Sequence, residues 1–165
     1  GKRTVLIGAG GAARAALWGL LRSGVSSVCI GVRNLAKGKA LCTDFAADGT
    51  LTAYCFDDPH FRDVLCTADI VVQTTPIGMS PQTDAMPPVD PAAISPSAAV
   101  YDLIYTPAET AFLRAAAAHG CTTINGETML VMQGAEAFSL WTGVRPNTDL
   151  MQRVLREELA RREGA

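Results

Sequence analysis

The sequence predicts an α/β domain, doubly wound around a mostly parallel sheet of six strands. Three observations carry that prediction. Short apolar runs rich in branched side chains alternate along the chain with segments of helical spacing. Strands joined through helices pair in parallel, by right-handed crossovers. The runs are near-continuously apolar rather than alternating, as expected of a sheet covered on both faces. A chain of 165 residues, 48% of them hydrophobic, is long enough for one such core.

Residues 4–7 (TVLI), bounded by glycine, form the first buried strand. Residues 13–23 follow as a helix with Leu17, Leu20 and Leu21 on its apolar face, stopped by Gly24. Residues 27–32 make the second strand. Residues 36–47 make the second helix, with Leu41 and Phe45 four apart. Residues 51–55 are a weaker third strand, 61–66 a turn or two of helix, and 69–74 the fourth strand. Six prolines then fall within residues 75–97, which predicts a long irregular loop of the functional kind. Residues 99–103 are the fifth strand, 110–119 a helix closed by Gly120, and 121–124 the sixth strand. Helices over 128–142 and 149–162 complete the chain, the last capped by Asn147 or Thr148. The expected division is a binding domain over residues 1–148 and a C-terminal helix over 149–165.

Composition narrows the function classes. The net charge is −2 and no basic stripe stands out, which argues against a nucleic-acid surface. The charged run at 156–163 reads as a solvated helix face. Five cysteines, Cys29, Cys42, Cys55, Cys66 and Cys121, are odd in number and form no CxxC pair. They predict neither zinc nor a disulfide framework, but buried free thiols in a reducing cytosol. No apolar run is long enough to span a bilayer, and the first one ends in glycines too soon for a signal peptide.

Gly8-Ala9-Gly10-Gly11-Ala12-Ala13 matches G-x-G-x-x-A directly after the first strand and at the start of the first helix, the Rossmann-like context for a dinucleotide. Gly8 permits the tight turn, Gly10 lets backbone approach a pyrophosphate, and Ala13 lets helix and sheet pack closely. The free N–H groups and the helix dipole favour phosphate. The plain alternative is a glycine-rich turn with no ligand. At the end of the second strand, where an NAD site places an acid for the ribose 2′-hydroxyl, the chain reads Val32-Arg33-Asn34; the nearest downstream acid is Asp44. Arg33 attracts a 2′-phosphate and Lys37 adds charge one turn into the helix, so NADP is favoured over NAD. Here the plain alternative is two solvated surface cations.

Three later segments fall at carboxyl ends of strands, where open α/β sheets bind ligands: QTTPIGM (73–79), DLIYTP (102–107), and GETMLVMQ (126–133) followed by AFSLWTG (137–143). With the glycine loop, Arg33, the T-P-x-G-M loop, D-x-x-Y-x-P, G-x-x-M-L-x-x-Q and the WTG, the chain resembles the shikimate dehydrogenase family over essentially its whole length, specifically the C-terminal, cofactor-binding half. The resemblance implies hydride transfer between NADP(H) and shikimate or 3-dehydroshikimate, in aromatic amino acid biosynthesis. It implies that Gly8, Ala9, Gly10, Gly11 and Ala12 hold the pyrophosphate, with Arg33, Asn34 and Lys37 around the 2′-phosphate. Thr75 would lie against the ribose, Leu103 and Gly126 would meet the nicotinamide end through backbone, and Met129 would pack near the ring. Tyr105 and Gln133 would face the hydroxy-acid substrate.

The chain departs from the family pattern at Gln73, where asparagine is usual, and at Val32 and Asn34, where NADP members often have asparagine and threonine. No Lys/Asp pair matches the catalytic pair that the family's first domain supplies. The expected behaviour is cofactor binding with little or no turnover by this chain alone. Other acid–base candidates are weak: Tyr105 reads as a contact, His119 as a helix cap, His60 as surface and Asp102 as a loop cap, while Met79, Met129 and Met132 suit a nicotinamide pocket or plain packing. In the last helix Leu150, Met151, Val154, Leu155 and Leu159 form an apolar stripe that supports the absent domain in the family or allows self-association. Two alternatives remain open: a stand-alone nucleotide-binding regulator, and a quinate or aminoshikimate dehydrogenase fragment. A methylenetetrahydrofolate dehydrogenase type ranks lower, because it shares only the glycine loop.

Overall fold

The computed structural model describes residues 1–163. The elements run β1 (Arg3–Ile7), α1 (Gly11–Arg22), β2 (Ser27–Val32), α2 (Leu35–Asp44), β3 (Leu51–Cys55), α3 (Pro59–Thr67) and β4 (Ile70–Gln73). After a long loop come β5 (Ala99–Asp102), α4 (Ala111–Ala118), β6 (Thr122–Ile124), α5 (Glu127–Thr142) and α6 (Thr148–Glu163). The strands lie in the order β3-β2-β1-β4-β5-β6. Every pairing is parallel, so the sheet is wholly rather than mostly parallel.

Alternation along the strands builds two cores. Val5 and Ile7 of β1 and Val71 of β4 face one side, where Phe61 and Leu65 of α3 and Phe112 and Ala116 of α4 cover them. Leu6 of β1, Ile30 of β2 and Val72 of β4 face the other, under Ala13 and Leu17 of α1 and Leu41 of α2. Over β1, β2 and β4 both sheet faces are therefore dry, which is why those segments read as unbroken apolar runs, while the edge strands β3 and β6 stay partly exposed.

Several details differ from expectation, each for a local reason. α3 spans Pro59–Thr67 because Asp58 caps it, accepting from the His60 N–H, and Pro59 starts the first turn. α2 ends before Phe45, whose ring instead carries the Arg14 guanidinium at 5.6 Å. The proline-rich loop holds a 3-10 turn at Pro91–Ala93, capped by Asp90. Of the five cysteines only Cys29 and Cys121 are buried; Cys66 is exposed on α3. Burial pushes the Cys29 thiol up to about 11. Asn147 caps α6 by accepting from the Leu150 N–H at 2.9 Å. No helix among the described residues is long and apolar enough to cross a membrane.

Candidate functional site

The strand order reverses between β1 and β4, and ligands of open α/β sheets bind outside the carboxyl ends of the strands at such a point. A cleft of about 310 Å³ lies there. Seven of the residues singled out from the sequence line it: Gly8, Ala9, Gly10, Arg33, Asn34, Lys37 and Thr75. Thr74, Pro76 and Ile77 of the 73–79 segment and Val32, directly before Arg33, also line it, and Phe56 is a contributor to which the sequence does not point.

The floor is the glycine turn. Gly8 has φ +109, and a Cβ there would come within 2.8 Å of Thr74 Oγ1 and 2.9 Å of Thr75 Cγ2. Only glycine lets β1 turn this tightly against the segment after β4. A Cβ at Gly10 or Gly11 would meet nothing within 4 Å. Those two glycines are thus not required by the protein's own packing; they keep backbone open to the cleft. Gly10 is the N-cap of α1 and supplies no side-chain cap. The first intrahelical bond runs from the Arg14 N–H to the Gly10 carbonyl at 3.0 Å. The preceding N–H groups, on Gly11, Ala12 and Ala13, have no intrahelical acceptor and carry the positive end of the helix dipole. Gly11 and Ala12 begin the helix beside the cleft rather than lining it. The residues present fit a pyrophosphate.

One end of the cleft is cationic. Arg33 directly follows β2. Asn34 caps α2, its Oδ1 accepting from the Lys37 N–H at 3.3 Å, so that Lys37 stands in the first turn. Asn34 therefore spends its carbonyl on the helix and has its amide N–H groups left for a ligand. Arg33 and Lys37 form no ion pair among the described residues, and no carboxylate lines the cleft. Asp44, the nearest downstream acid, is held by Arg14 in an ion pair between α1 and α2. Phe56, half-buried after β3, sets its ring edge-on to Phe61 and gives this end an apolar wall. Its place depends on where β3 stops relative to β2, which the local sequence does not signal.

The remaining site candidates, Leu103, Tyr105, Gly126, Met129 and Gln133, do not line this cleft. Leu103 and Tyr105 lie just after β5, and Gly126, Met129 and Gln133 lie at the start and in the first turns of α5. Gly126 donates its N–H to the Ile104 carbonyl at 2.9 Å. A Cβ on Gly126 would lie 2.6 Å from the Leu103 carbonyl carbon and closer still to its oxygen, so Leu103 and Gly126 meet backbone to backbone. Met129 and Gln133 are one turn apart on the same face of α5; Met129 and Tyr105 are half-buried and Gln133 is exposed.

Buried polar side chains fix these segments. Asp102 is fully buried at the end of β5, accepting from the Ile104 N–H at 3.0 Å and the Thr110 hydroxyl at 2.8 Å. Burial outweighs those two bonds and lifts its carboxyl to about 6. Asn125 donates to the Ala108 carbonyl at 2.9 Å and to Glu127 at 3.1 Å, and Arg156 of α6 donates to Glu127 at 2.9 Å. The loop after β5, the start of α5 and α6 are thereby tied in one chain of bonds. His119 caps α4 at the amino-terminal end of the sheet. His60 is exposed, paired with Asp58 and stacked on Tyr54 at 5.8 Å. Met79 and Met132 are about half exposed, so neither is a core gap-filler. No cluster of three metal-ligating side chains occurs among the described residues.

The family model of the shikimate 5′-dehydrogenase C-terminal domain matches residues 126–156, the segment from Gly126 to the middle of α6. A shikimate dehydrogenase (NADP(+)) of Desulforamulus reducens is 40% identical over 98% of this chain and 56% of its own length. Among solved structures, shikimate 5-dehydrogenase from Listeria monocytogenes in complex with shikimate and NAD superposes with a TM-score of 0.86 at 28% identity, over 94% of this chain and 56% of that one. Shikimate 5-dehydrogenase from Thermus thermophilus in complex with NADP(H) and shikimate does so with a TM-score of 0.79 at 33% identity, over 96% and 54%. The chain thus spans about half the length of the relatives it matches. By motif, fold and likeness along nearly its full extent, it belongs to the shikimate dehydrogenase family and corresponds to that family's C-terminal domain.

Proposed function

We propose that this chain is the NADP-binding half of a shikimate dehydrogenase, acting on shikimate and 3-dehydroshikimate. One observation carries the reading: an uncapped helix N-terminus over open glycines stands beside two unpaired cations in a cleft without a carboxylate. That arrangement suits a pyrophosphate flanked by a further phosphate. A relative 40% identical is named for NADP, which supports the same choice. The backbone at Gly8, Ala9, Gly10, Gly11 and Ala12 holds the pyrophosphate, Arg33, Asn34 and Lys37 take the 2′-phosphate, and Thr75 lies against a ribose. The cofactor, when bound, supplies the hydride acceptor or donor. Leu103 and Gly126 present backbone to its nicotinamide end, Met129 packs near the ring, and Tyr105 and Gln133 hydrogen-bond the hydroxy acid.

Proton transfer needs a tuned base within reach of the substrate hydroxyl. His119 lies at the wrong end of the sheet, the lysines are Lys2, Lys37 and Lys39, away from the Tyr105 rim, and Asp102 is sealed inside its loop. On this reading the base is supplied by a substrate domain outside these residues, against which α6 and the end of α5 pack. Leu140, Trp141, Leu150 and Val154, all exposed here, are the side chains such a domain would cover.

Calorimetric titration tests the cofactor assignment: NADP should bind at least tenfold more tightly than NAD. Equal affinities would remove the role of Arg33. Absorbance at 340 nm with NADP and shikimate should show little turnover by this chain, and restored turnover once a substrate domain is joined to it. Brisk turnover by the chain alone would overturn the absent-base argument.

A further inference from the structure

Glutamine is mostly a surface residue, yet Gln73 is fully buried at the carboxyl end of β4. A primary amide in that position is tolerated only when its donors and acceptor are engaged. They are, and all by one short segment. Nε2 donates to the Thr75 carbonyl at 3.0 Å and to the Ile77 carbonyl at 3.1 Å, while Oε1 accepts from the Thr75 N–H at 2.6 Å. Residues 75–77 form one wall of the cleft. The wall is secured from its other end by Thr74, whose hydroxyl donates to the Ile7 carbonyl at 2.7 Å, and it stands close enough to Gly8 that a Cβ there would collide with Thr74 and Thr75. Without Gln73 the Thr75 and Ile77 carbonyls would face the interior unpaired, and the wall would have to shift to find other donors.

The strand order says which part of a ligand this wall meets. β1, with the glycine turn at its end, lies between β2 and β4. Arg33 follows β2, so Arg33 and the 75–77 wall stand on opposite sides of the glycine turn, about two strand spacings or 10 Å apart. A dinucleotide with its 2′-phosphate at Arg33 and its pyrophosphate on the turn sends its other half toward the wall.

We infer that Gln73 is a positioning residue that sets the cofactor cleft by pinning residues 75–77 against the glycine turn, and so governs binding of the nicotinamide half without touching the cofactor. The inference rests on the NADP reading above. Gln73→Leu keeps the volume and removes all three bonds; Gln73→Asn, one methylene shorter, gives up the reach to Ile77. Affinities for NADP and for adenosine 2′,5′-bisphosphate, which carries only the Arg33 half, are compared by calorimetry. Gln73→Leu should weaken NADP about tenfold or more, the loss expected when a buried hydrogen-bond set is broken. The bisphosphate should change less than threefold, and Gln73→Asn should fall between. Leu113→Ala, a core truncation in α4 that lines no part of the cleft, is the control for lost stability: it should lower Tm and leave both affinities alone. NADP affinity within threefold of wild type in Gln73→Leu, or an equal loss for both ligands, overturns the inference; if that variant does not fold, the same split in Gln73→Asn decides. Failure of the wild-type chain to bind NADP would instead overturn the cofactor reading.

Discussion

The glycine-turn side of the molecule and its C-terminal hairpin handle burial in opposite ways. Around β1 and β2, the strand residues Leu6 and Ile30 and the helix residues Ala13 and Leu17 are wholly out of water, and what remains open is a lined cleft. Around α5 and α6 the helices pack mainly on each other. Leu140 is 83% and Trp141 84% exposed, with Phe138, Val144 and Val154 also well exposed. Single exposed apolar residues are ordinary on a protein surface; a run of them over one hairpin marks a face made to be covered. On the function proposed above, the contrast means that cofactor recognition is local to this chain, whereas the rim beyond β5 is half of a site. The seam between the two regions is the contact of Gly126 with Leu103 and the bonds of Asp102 and Glu127.

The seam offers the strongest way to break the comparison. Gly126→Ala places a methyl against the Leu103 carbonyl, where backbone on both sides leaves no room to relax. Overpacking of this kind costs about 3 kcal/mol, and at this chain length Tm should fall by roughly 10 °C. A variant that melts with the wild type would mean that the two segments are not held together.

Asp102 gives a comparable effect that depends on pH. Its carboxyl is raised from the ordinary 3.8 to about 6, chiefly by burial. The fold thus favours the protonated acid. That contribution is complete below about pH 4 and is lost as pH rises through 6, on the order of 3 kcal/mol between the limits. Asp102→Asn does not titrate, so the Tm of the wild type minus that of the variant should decline from pH 4 to 6.5 and level off above. A flat difference would show that the buried carboxylate is ionised throughout.

On the cleft side the effect is on binding, not folding. Arg33 is exposed, and Arg33→Asp should leave Tm nearly unchanged. Losing a charge-assisted bond to phosphate costs about 1.5–3 kcal/mol, so NADP affinity should fall roughly 10- to 100-fold. NAD affinity should hold or rise, because an acid at that place accepts from a ribose hydroxyl. Parallel losses for both cofactors would assign Arg33 to general charge rather than to the 2′-phosphate.

These sites were not equally readable in the sequence. Gly8 to Ala13 and Arg33 are legible because their meaning is local: a strand, a turn that needs glycine, a helix start, and the next strand's end at a fixed interval. Ile77 belongs to the legible 73–79 segment, whereas Phe56 reaches the cleft through parallel register between β3 and β2, which no nearby residue encodes. Gln73 reads from the sequence as a departure from a family pattern; that it is sealed inside and holds a loop follows only from the geometry after β4. Helix α3 reads as shorter than it is because Asp58 and Pro59, an N-cap and a first-turn proline, look like a polar turn. Tyr105 and Gln133 show the other limit. The motifs locate them, but nothing in this chain fixes what they touch.

The smallest effect on stability comes from the hairpin, and it sharpens the contrast most directly. Trp18 on α1 is also exposed, at 57%, but the Arg22 guanidinium lies over its ring at 5.1 Å. Trp141 has no such cover among the described residues. Replacing Leu140 and Trp141 together by serine removes apolar surface that the folded chain leaves in water, so Tm should stay within about 2 °C of the wild type. The same change should reduce self-association, because the hydrophobic gain from burying this face between copies disappears. Sedimentation velocity over a concentration series reads both species: the wild-type coefficient should rise with concentration and that of the double variant should not. If the two series coincide, the exposed face is not adhesive, and the reading of the hairpin as an uncovered interface loses its physical basis.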